Sequence, residues 1–424
     1  AEDFHVLSLS PELFLQTSDG NASMRPMKGT APRGRTLEED RDLKAMLAAD
    51  EKSRAENLMI LDLMRNDLGR LAEIGSVTVS DMFRVETFRS LHQMTSGVSA
   101  RLRPDVDLPG LIRSIFPCGS VTGAPKIRAM EIIRELETEP RGVYTGAVGM
   151  IAPNGDVDLN VAIRTIMLDG AGKGELGIGS GVVFDSDGPA EFAESLLKAE
   201  FMTGRDAPFE LIETMRWDRD GGYSLLDEHM ERLTESAAYF GFACDVGAVR
   251  RALDGIATTL TGPCHRVRMT LDEFGRIDVT SAAIEPPSPD ARTRYVIAEA
   301  ATDSTNRFLF HKTTRRQFYD RTRERLKQET GCDEAVFVNE KGELTEGSYT
   351  NLFVERDGRL LTPPLACGLL NGTLRRALLA DPDCAIEEAV LRPADLESAD
   401  RVYLGNSVRG LVQAVPVDSM RRAG

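Results

Sequence analysis

The sequence predicts two mixed domains of the α+β or α/β class, joined near residue 204. The chain has 424 residues, of which 42% are hydrophobic and 28% charged, and this length is sufficient for two full cores. Short β-branched runs alternate with segments in which apolar residues recur at helical spacing. Polar turn residues at 203–208 separate one helix from a new apolar segment. We therefore predict domains at residues 1–204 and 205–424.

The first predicted domain begins with strands. Residues 4–15 have the pattern of a strand pair, and apolar positions between Thr36 and Arg70 recur at helical spacing. The further elements predicted here are strands at 77–79 and 97–100, helices at 108–116, 126–137 and 191–201, and two β-branched runs at 142–150 and 157–168 joined by an Asn154-Gly155 turn.

Charge and composition exclude several classes of partner. The formal net charge of −16 argues against nucleic acid or an anionic membrane, since a polyanion would be repelled. No apolar run approaches the roughly 18 residues that span a bilayer, and residues 1–4 lack the features of a signal peptide. We therefore expect a cytoplasmic protein. The six cysteines are scattered without zinc-site spacing, and we expect free, buried thiols.

Two groups of residues in the first domain indicate anion and metal binding. The loop of small residues at 118–126 leads into a helix, whose free N–H groups and dipole favour a carboxylate. Glu56 and Glu194 could together hold Mg²⁺, which needs only one or two carboxylates. Each feature alone has a structural alternative. Glu194 and Lys198 could be a surface ion pair, Glu56 a solvated helix residue and the loop a simple helix entry.

Taken together, the motifs of the first domain resemble the chorismate-utilising enzymes, the family of anthranilate synthase and aminodeoxychorismate synthase component I. The resemblance extends from about Phe4 to Met202 and rests on SPELF, PMKGT, AENLMILDLMRNDLGR, PCGSVTGAPK, RGVYTG, AIRT and GSG followed by Asp185-Ser186. Lys28 of PMKGT favours the aminodeoxychorismate branch, because anthranilate synthases of this family have alanine there. The implied fold is a chorismate-binding β-sandwich with helices.

The resemblance also implies roles for individual residues. Lys28 would attack C2 of chorismate while Glu12 protonates the departing 4-hydroxyl, and ammonia would then enter at C4 and expel the lysine. Glu56 and Glu194 would bind Mg²⁺, and His92 would lie beside the ring. The residues implied to contact the substrate carboxylates are Ser120, Thr122, Tyr144, Arg164, Gly179, Gly181 and Lys198.

The start of the chain departs from the family pattern. Family members carry a long segment before the SPE motif, and it supplies strands and one wall of the site. This chain begins with Ala1 and lacks that segment, so the domain is expected to be truncated at its N-terminus. Two alternatives remain open: the first site is incomplete, or the sequence is a fragment of a longer chain.

The second domain contains the residue types that pyridoxal phosphate requires. Lys312 could bind the cofactor covalently, and Glu346 could keep its pyridine nitrogen protonated. Arg232 lies on a predicted helix, while residues 368–375 form a turn into another helix that could present N–H groups to a phosphate. Alone, Lys312 would be a surface lysine, Arg232 a charge on a helix face and Gly372 a turn residue.

In combination, these motifs resemble the fold-type IV pyridoxal-phosphate enzymes, which include aminodeoxychorismate lyase and the branched-chain and D-amino-acid aminotransferases. The resemblance spans about Phe209 to Val417 and makes Lys312 the covalent lysine and general base. Glu346 would pair with the pyridine nitrogen. The residues implied to hold the phosphate are Arg232, Thr373, Leu374 and Ser407.

The two resemblances together predict a bifunctional enzyme of folate biosynthesis that makes 4-aminobenzoate from chorismate and ammonia. Since no glutaminase residues are visible, a glutamine amidotransferase subunit is expected to supply the ammonia. The family suggests a homodimer through the second domain. Two alternatives stay open. The second domain could be an aminotransferase, attached to a chorismate domain of the anthranilate synthase type or an inactive one, or the first domain could be a non-catalytic interaction module.

Overall fold

The structure, a computed structural model, describes residues 4–203, 207–288 and 290–417. The chain divides into two compact units. The first comprises Ala1–Arg33 and Arg41–Asp206, and the second comprises Gly34–Asp40 and Ala207–Gly424. The prediction of two domains with mixed helices and strands is therefore confirmed. The predicted boundary between residues 204 and 205 falls outside the described residues and stays a prediction.

The first unit contains ten strands and five helices among its described residues. In chain order they are β1 (Phe4–Ser8), β2 (Leu13–Ser18), β3 (Asn21–Arg25), β4 (Met27–Pro32), α1 (Leu37–Ala49), α2 (Glu51–Gly69), β5 (Thr78–Thr87), β6 (Leu91–Arg101), α3 (Leu108–Ile115), α4 (Lys126–Leu136), β7 (Ala147–Ile151), β8 (Val157–Val161), β9 (Thr165–Asp169), β10 (Gly174–Leu176) and α5 (Gly188–Thr203). The first four residues of α1 are grouped with the second unit.

Two sheets organise the first unit. The larger has seven strands in the order β4-β6-β3-β2-β8-β7, with β5 also paired to β6, and the smaller has the order β1-β9-β10. The core forms where α2 and α3 cover the larger sheet. Phe14 and Val98 of the sheet and Ile60 and Met64 of α2 are at most 1% exposed. This packing fixes β2, which directly follows Glu12. It also fixes α2, which carries Glu56.

The predicted helices between Thr36 and Arg70 are confirmed as α1 and α2. They are separate because the Asp50 side chain caps α2 by accepting a hydrogen bond from the Ser53 N–H at 2.7 Å. The strand pair predicted for residues 4–15 was wrong in its partners. β1 pairs with β9, whereas β2 pairs with β3 and β8. The run at 157–168 also divides into β8 and β9, which belong to different sheets.

The second unit contains twelve strands and five helices among its described residues. In chain order they are β11 (Leu211–Asp218), β12 (Gly222–Tyr223), α6 (Leu226–Phe240), α7 (Val246–Ala257), β13 (Cys264–Leu271), β14 (Ile277–Ala283), β15 (Arg292–Ile297), α8 (Gln317–Thr330), β16 (Glu334–Val338), β17 (Leu344–Gly347), β18 (Asn351–Arg356), β19 (Arg359–Thr362), α9 (Thr373–Ala380), β20 (Ile386–Glu388), α10 (Pro393–Glu397), β21 (Arg401–Asn406) and β22 (Gly410–Pro416).

The strands of the second unit form a four-stranded and an eight-stranded sheet. Their orders are β12-β11-β13-β14 and β17-β16-β15-β22-β21-β18-β19-β20. In the eight-stranded sheet, β17 and β18 are separated by a turn. The buried Glu334 carboxylate holds that turn by accepting hydrogen bonds from the Ser348 N–H and the Thr350 hydroxyl, both at 3.1 Å. Glu346 therefore lies just before an anchored turn.

Gly34–Asp40 belongs to the second unit although it lies far from the rest of that unit in sequence. The Tyr239 hydroxyl donates a hydrogen bond to the Gly34 carbonyl at 2.6 Å, and His311 Nε2 lies 3.1 Å from the Arg35 carbonyl. The Arg35 guanidinium lies over the Phe310 ring at 5.2 Å. This short segment therefore contacts the residues that immediately precede Lys312.

Two further expectations concern membrane-spanning helices and the state of the cysteines. Across the described residues, no helix combines the length and the hydrophobicity that crossing a bilayer would require. All six cysteines are free, and Cys118, Cys264, Cys332 and Cys367 are buried. The expectation of free thiols is confirmed, but the expectation that they are buried is wrong for Cys244 and Cys384, which are partly exposed.

Candidate active sites

Glu12 immediately precedes β2 and is 3% exposed. Burial raises the pKa of Glu12 to about 7, although a hydrogen bond from Ser120 and the charges of Lys28 and Lys198 oppose this rise. Its Oε1 atom makes no hydrogen bond within the described structure. A carboxyl with a pKa near neutrality can be protonated at physiological pH, so Glu12 can donate a proton to a bound group.

Four of the predicted substrate residues, Tyr144, Gly179, Gly181 and Lys198, lie close to Lys28 or to one another. A Cβ at Gly181 would lie only 2.8 Å from Lys28 Nζ, and a Cβ at Gly179 would lie 3.0 Å from the Tyr144 hydroxyl. Lys198 on α5 donates a hydrogen bond to the Gly179 carbonyl at 3.2 Å. The glycines thus let the loop after β10 approach Lys28 and Tyr144 closely. Lys28, Tyr144 and Lys198 therefore each lie close to one of these two glycines.

Glu56 lies near Lys28 and near two further glutamates, Glu191 and Glu194. Burial raises the pKa of Glu56, and the charges of Glu191 and Glu194 add to the rise, whereas Lys28 opposes it. Glu194 is paired with Lys198 at 2.7 Å. No group of three or more His, Cys, Asp or Glu side chains in the described chain is arranged as a metal site. Two mutually repelling carboxylates nevertheless fit Mg²⁺, which completes its coordination with water and substrate oxygens.

Three predicted substrate residues have other contacts or surroundings. His92 on β6 is fully buried, and its Nδ1 lies 3.2 Å from the Thr87 hydroxyl. The Thr122 hydroxyl donates to the Cys118 carbonyl at 3.0 Å, so it stabilises the loop before α4. Arg164 has a left-handed backbone with φ of 48°, and burial lowers the pKa of its guanidinium. The substrate roles of His92, Thr122 and Arg164 stay predictions.

The second unit contains a cavity of about 850 Å³ that Lys312 lines. Burial lowers the pKa of Lys312 to about 7, and the positive charges of Arg232 and Arg316 act in the same direction. The amine is therefore substantially neutral at pH 7, as a nucleophile or general base must be. Lys312 is held in place through its backbone, because its carbonyl accepts a hydrogen bond from the Ile212 N–H at 2.8 Å.

Glu346 of β17 lines the same cavity and is 7% exposed. Its carboxylate accepts hydrogen bonds from the Tyr319 hydroxyl at 3.0 Å and from the Leu370 N–H at 3.2 Å. Burial raises the pKa of Glu346 to about 8. Such a carboxyl would become ionised beside a cation, so it can pair with a protonated ring nitrogen.

Arg232, Thr373 and Ser407 also line this cavity. Ser407 follows β21, and its hydroxyl donates to the Thr214 carbonyl at 3.1 Å. Thr373 and Leu374 open α9, where backbone N–H groups have no partner within the helix. A Cβ at Gly372 would overlap the Asn351 side chain, so glycine is required where the chain turns into α9. A positive side chain, a hydroxyl and a helix start together suit a phosphate.

Sequence reasoning missed a buried network behind this phosphate site. Glu213 accepts two hydrogen bonds from Arg232, at 3.0 and 2.5 Å, and lies 2.5 Å from His229 Nδ1. His229 Nε2 lies 2.9 Å from the Ser407 hydroxyl and 3.4 Å from that of Thr373. The available signal was Glu213 itself, a charged residue at an inward position of the apolar strand β11.

The geometry fits pyridoxal phosphate as the ligand of the second cavity. Lys312, Glu346 and the phosphate-binding groups line one space, and each is fixed by hydrogen bonds of its side chain or backbone. Lys312 would bind the aldehyde of the cofactor, and Glu346 would face its ring nitrogen. The cavity thus combines the parts that the sequence predicted separately.

Comparisons with protein families agree with the division of the chain into two units. Residues 1–204 match the family described as chorismate binding enzyme. Residues 210–417 match the family described as amino-transferase class IV. The two matches follow one another along the chain without overlap.

Individual relatives resemble one half of the chain at a time. Aminodeoxychorismate synthase of Streptomyces griseus is 52% identical over 195 residues, which cover 46% of this chain and 27% of the relative. Anthranilate synthase component 1 of Acinetobacter calcoaceticus is 43% identical over 196 residues, covering 46% and 39% of the two chains. The chain therefore spans well under half the length of these relatives.

One solved structure aligns with nearly its full length. It is described as a candidate amino-acid aminotransferase from Mesorhizobium loti and is 40% identical, with a TM-score of 0.46. The alignment covers 49% of this chain and 99% of that one.

Proposed function

Because the chain joins a chorismate binding enzyme domain to a class IV aminotransferase domain, we propose that it makes 4-aminobenzoate in two successive reactions. The first converts chorismate and ammonia into 4-amino-4-deoxychorismate and water. The second divides that product into 4-aminobenzoate and pyruvate. The observation that carries the proposal is that each domain holds a lysine beside a glutamate. Lys28 lies near Glu12, whose pKa of about 7 leaves it partly protonated at neutral pH. Lys312, whose pKa is lowered to about 7, lines one cavity with Glu346.

In the first reaction, Lys28 Nζ attacks C2 of chorismate while the Glu12 carboxyl gives its proton to the departing 4-hydroxyl. Ammonia then bonds to C4 and the bond to Lys28 breaks, which restores the lysine. The raised pKa of Glu12 supports this role, because an acid with a pKa of about 7 is partly protonated at neutral pH. Glu56 and Glu194 would hold Mg²⁺, which would neutralise substrate carboxylates.

In the second reaction, Lys312 Nζ removes the proton from the carbon that bears the amine. Loss of pyruvate from the neighbouring carbon then leaves an aromatic ring, which favours the elimination. Pyridoxal phosphate, when bound, supplies an electron sink for the carbon that loses its proton. Arg232, Ser407 and the start of α9 would hold its phosphate, and Glu346 would pair with its ring nitrogen.

The proposed chemistry implies partners beyond this chain. A glutamine amidotransferase subunit would supply ammonia, an expectation supported by a relative that is named as a component 1. We further propose a homodimer through the second domain and a cytoplasmic location. Purification with and without a candidate amidotransferase, followed by an assay of glutamine-dependent synthesis, tests the partnership. Sedimentation of the chain alone tests the dimer.

The proposal is tested by supplying purified holoenzyme with chorismate, ammonia and Mg²⁺. Absorbance reports the bound cofactor, fluorescence reports 4-aminobenzoate, and a coupled assay reports pyruvate. We expect all three signals, with Lys28→Ala abolishing synthesis from chorismate but not from added aminodeoxychorismate. Lys312→Ala should abolish the cofactor absorbance and the release of pyruvate.

Two other outcomes would refute parts of the proposal. A requirement for a 2-oxo acid acceptor in the second reaction would identify an aminotransferase instead of a lyase. An ammonia-dependent rate that is the same in Lys28→Ala and wild type would show that the first domain does no chemistry at this lysine.

A further inference from the structure

The cavity of the second unit is strongly cationic although the chain as a whole is acidic. Seven arginines and Lys312 line it, against the three carboxylates of Glu285, Asp320 and Glu346. The formal net charge of the chain is −16, so this excess of positive charge is a local feature. The proposed phosphate site uses Arg232, which leaves most of these arginines without a role. A concave cationic wall indicates a ligand with more negative charge than a phosphate alone.

The turn between β17 and β18 provides a rigid platform in this wall. It consists of Ser348, Tyr349 and Thr350, which all line the cavity. Glu334 binds the turn from below, and Arg316 donates a hydrogen bond to the Ser348 carbonyl at 2.6 Å. Tyr349 therefore projects from a segment anchored on both sides. The same turn directly follows Glu346, so its position is tied to that of the cofactor site.

Two arginines lie over the ring of Tyr349. The guanidinium carbon of Arg323 is 5.2 Å from the ring centroid, and that of Arg409 is 5.4 Å from it. Arg409 also donates to the Tyr349 hydroxyl at 3.4 Å. Stacking on an aromatic ring orients a guanidinium while leaving its N–H edge available.

The charges of these two arginines are not balanced by their surroundings. Within the described residues, neither has a carboxylate oxygen within 4.0 Å, and the buried Nε atom of Arg323 has no hydrogen-bond partner. Leaving a buried donor unsatisfied is costly, and two like charges near one ring repel each other. An anion bound in the cavity beside this platform would offset the positive charges of both arginines.

We propose that Arg323, Tyr349 and Arg409 bind a substrate carboxylate that lies away from the reacting carbon, and that they thereby select amino ring acids. This inference rests on the proposed function, because the ring carboxylate of aminodeoxychorismate lies across the ring from the amine. With the amine directed toward Lys312, that carboxylate projects away from the cofactor. A guanidinium matches a carboxylate with two parallel N–H groups, and the Tyr349 hydroxyl can add a third donor.

The test compares two ligands that differ in one charge. Binding of 4-aminobenzoate and 4-aminobenzamide to the holoenzyme is measured by calorimetry, in wild type, Arg409→Gln and Arg323→Gln. Arg325→Gln serves as a matched control. Arg325 lies on α8, as Arg323 does, but it pairs with Glu329 at 3.3 Å and does not line the cavity. The first site is identical in all variants, so differences between them belong to the second cavity.

We expect wild type and Arg325→Gln to prefer 4-aminobenzoate over the amide by about 10- to 100-fold, as loss of a charged hydrogen bond predicts. Arg409→Gln should reduce that preference by about 10-fold, whereas Arg409→Lys should restore part of it. A preference that is the same in Arg409→Gln and wild type overturns the inference, even if Arg323→Gln fails to fold.

Kinetics separate this inference from the proposed function. For aminodeoxychorismate, Arg409→Gln should raise KM by about 10-fold with little change in kcat, and the cofactor absorbance should stay as in wild type. If wild type releases no pyruvate, the proposed reaction is wrong, while the ligand comparison still decides the carboxylate site. If pyruvate is released and the variant has an unchanged KM, the carboxylate site is wrong and the reaction stands.

Discussion

Glu213→Gln removes the negative charge that holds Arg232 and His229 behind the phosphate site. Glu213 is 1% exposed, and both of its oxygens accept hydrogen bonds. Glutamine has the same shape, but its NH₂ group would face N–H donors. Removing one partner of a buried ion pair costs about 3–5 kcal/mol. At roughly 2–4 °C per kcal/mol for a unit of about 200 residues, Tm should fall by about 6–20 °C.

Trp217 provides a specific probe for this measurement. It is the only tryptophan of the chain, and it lies on β11, the strand that also carries Glu213. Its fluorescence during thermal unfolding therefore reports on the second unit. Asp218→Asn is the matched control, since Asp218 pairs with Arg216 at 2.7 Å but is 33% exposed. A partly solvated pair contributes only about 0–1 kcal/mol, so Tm should change by at most about 4 °C.

The pH dependence of stability provides a second, independent test of the role of Glu213. Burial alone would raise the pKa of Glu213, but Arg232 and His229 hold it at about 2, below its ordinary value of 4.5. A depressed carboxyl pKa stabilises the folded state above pH 4.5, and this contribution is lost as the pH falls toward 2. The difference in stability between wild type and Glu213→Gln should be constant above about pH 5.5 and shrink below pH 4.5. Equal Tm values for the two proteins at pH 7 would refute the reasoning.

The remaining predictions concern Glu12, Lys312 and Gly181 of the two candidate sites. Because the pKa of Glu12 is raised to about 7, the carboxyl loses its proton as the pH rises, so kcat of the first reaction should fall above pH 7 at constant free ammonia. A flat profile up to pH 9 would exclude Glu12 as the acid. Because the pKa of Lys312 is lowered to about 7, the rate at which apoprotein captures pyridoxal phosphate should rise about 10-fold per pH unit below 7 and level off above it, as followed by absorbance. A rise that continues to pH 10 would contradict that pKa. Gly181→Ala should lower the first reaction by about 10- to 100-fold, because its Cβ would lie 2.8 Å from Lys28 Nζ. Gly188→Ala, at a position with no atom within 4 Å of the new Cβ, should retain the wild-type rate.

Sequence patterns predicted the helices better than the partners of the strands. Apolar spacing is a local signal, and α1 and α2 follow it closely. Strand pairing depends on residues far apart in the chain, as β1 and β9 show, and no local pattern encodes such a partner. The same reason explains why the turn at Ser348–Thr350 was not predicted, since Glu334 holds it from another strand.

The same difference between local and long-range signals applies to the candidate sites. Lys28, Glu12, Lys312 and Glu346 were predicted from motifs. In the structure, Glu12 and Glu346 are buried, whereas Lys28 and Lys312 are partly buried. The pKa directions of Glu12, Lys312 and Glu346 could not be predicted, because burial depends on the whole fold. Glu213 was missed because a single acidic residue in a strand gives no motif. Its significance emerges only when Arg232 is brought beside it.

The placement of Gly34–Asp40 has a practical consequence for dissecting this protein. A polypeptide produced from residue 207 onward would contain Lys312 and every proposed cofactor ligand, yet it would lack the carbonyls of Gly34 and Arg35. The buried side chains of Tyr239 and His311 would each lose a hydrogen-bond partner, at about 1–3 kcal/mol apiece. A fragment that begins at residue 207 should therefore be less stable than the same region within the full chain. Adding residues 34–40 as a separate synthetic peptide should raise the melting temperature of such a fragment.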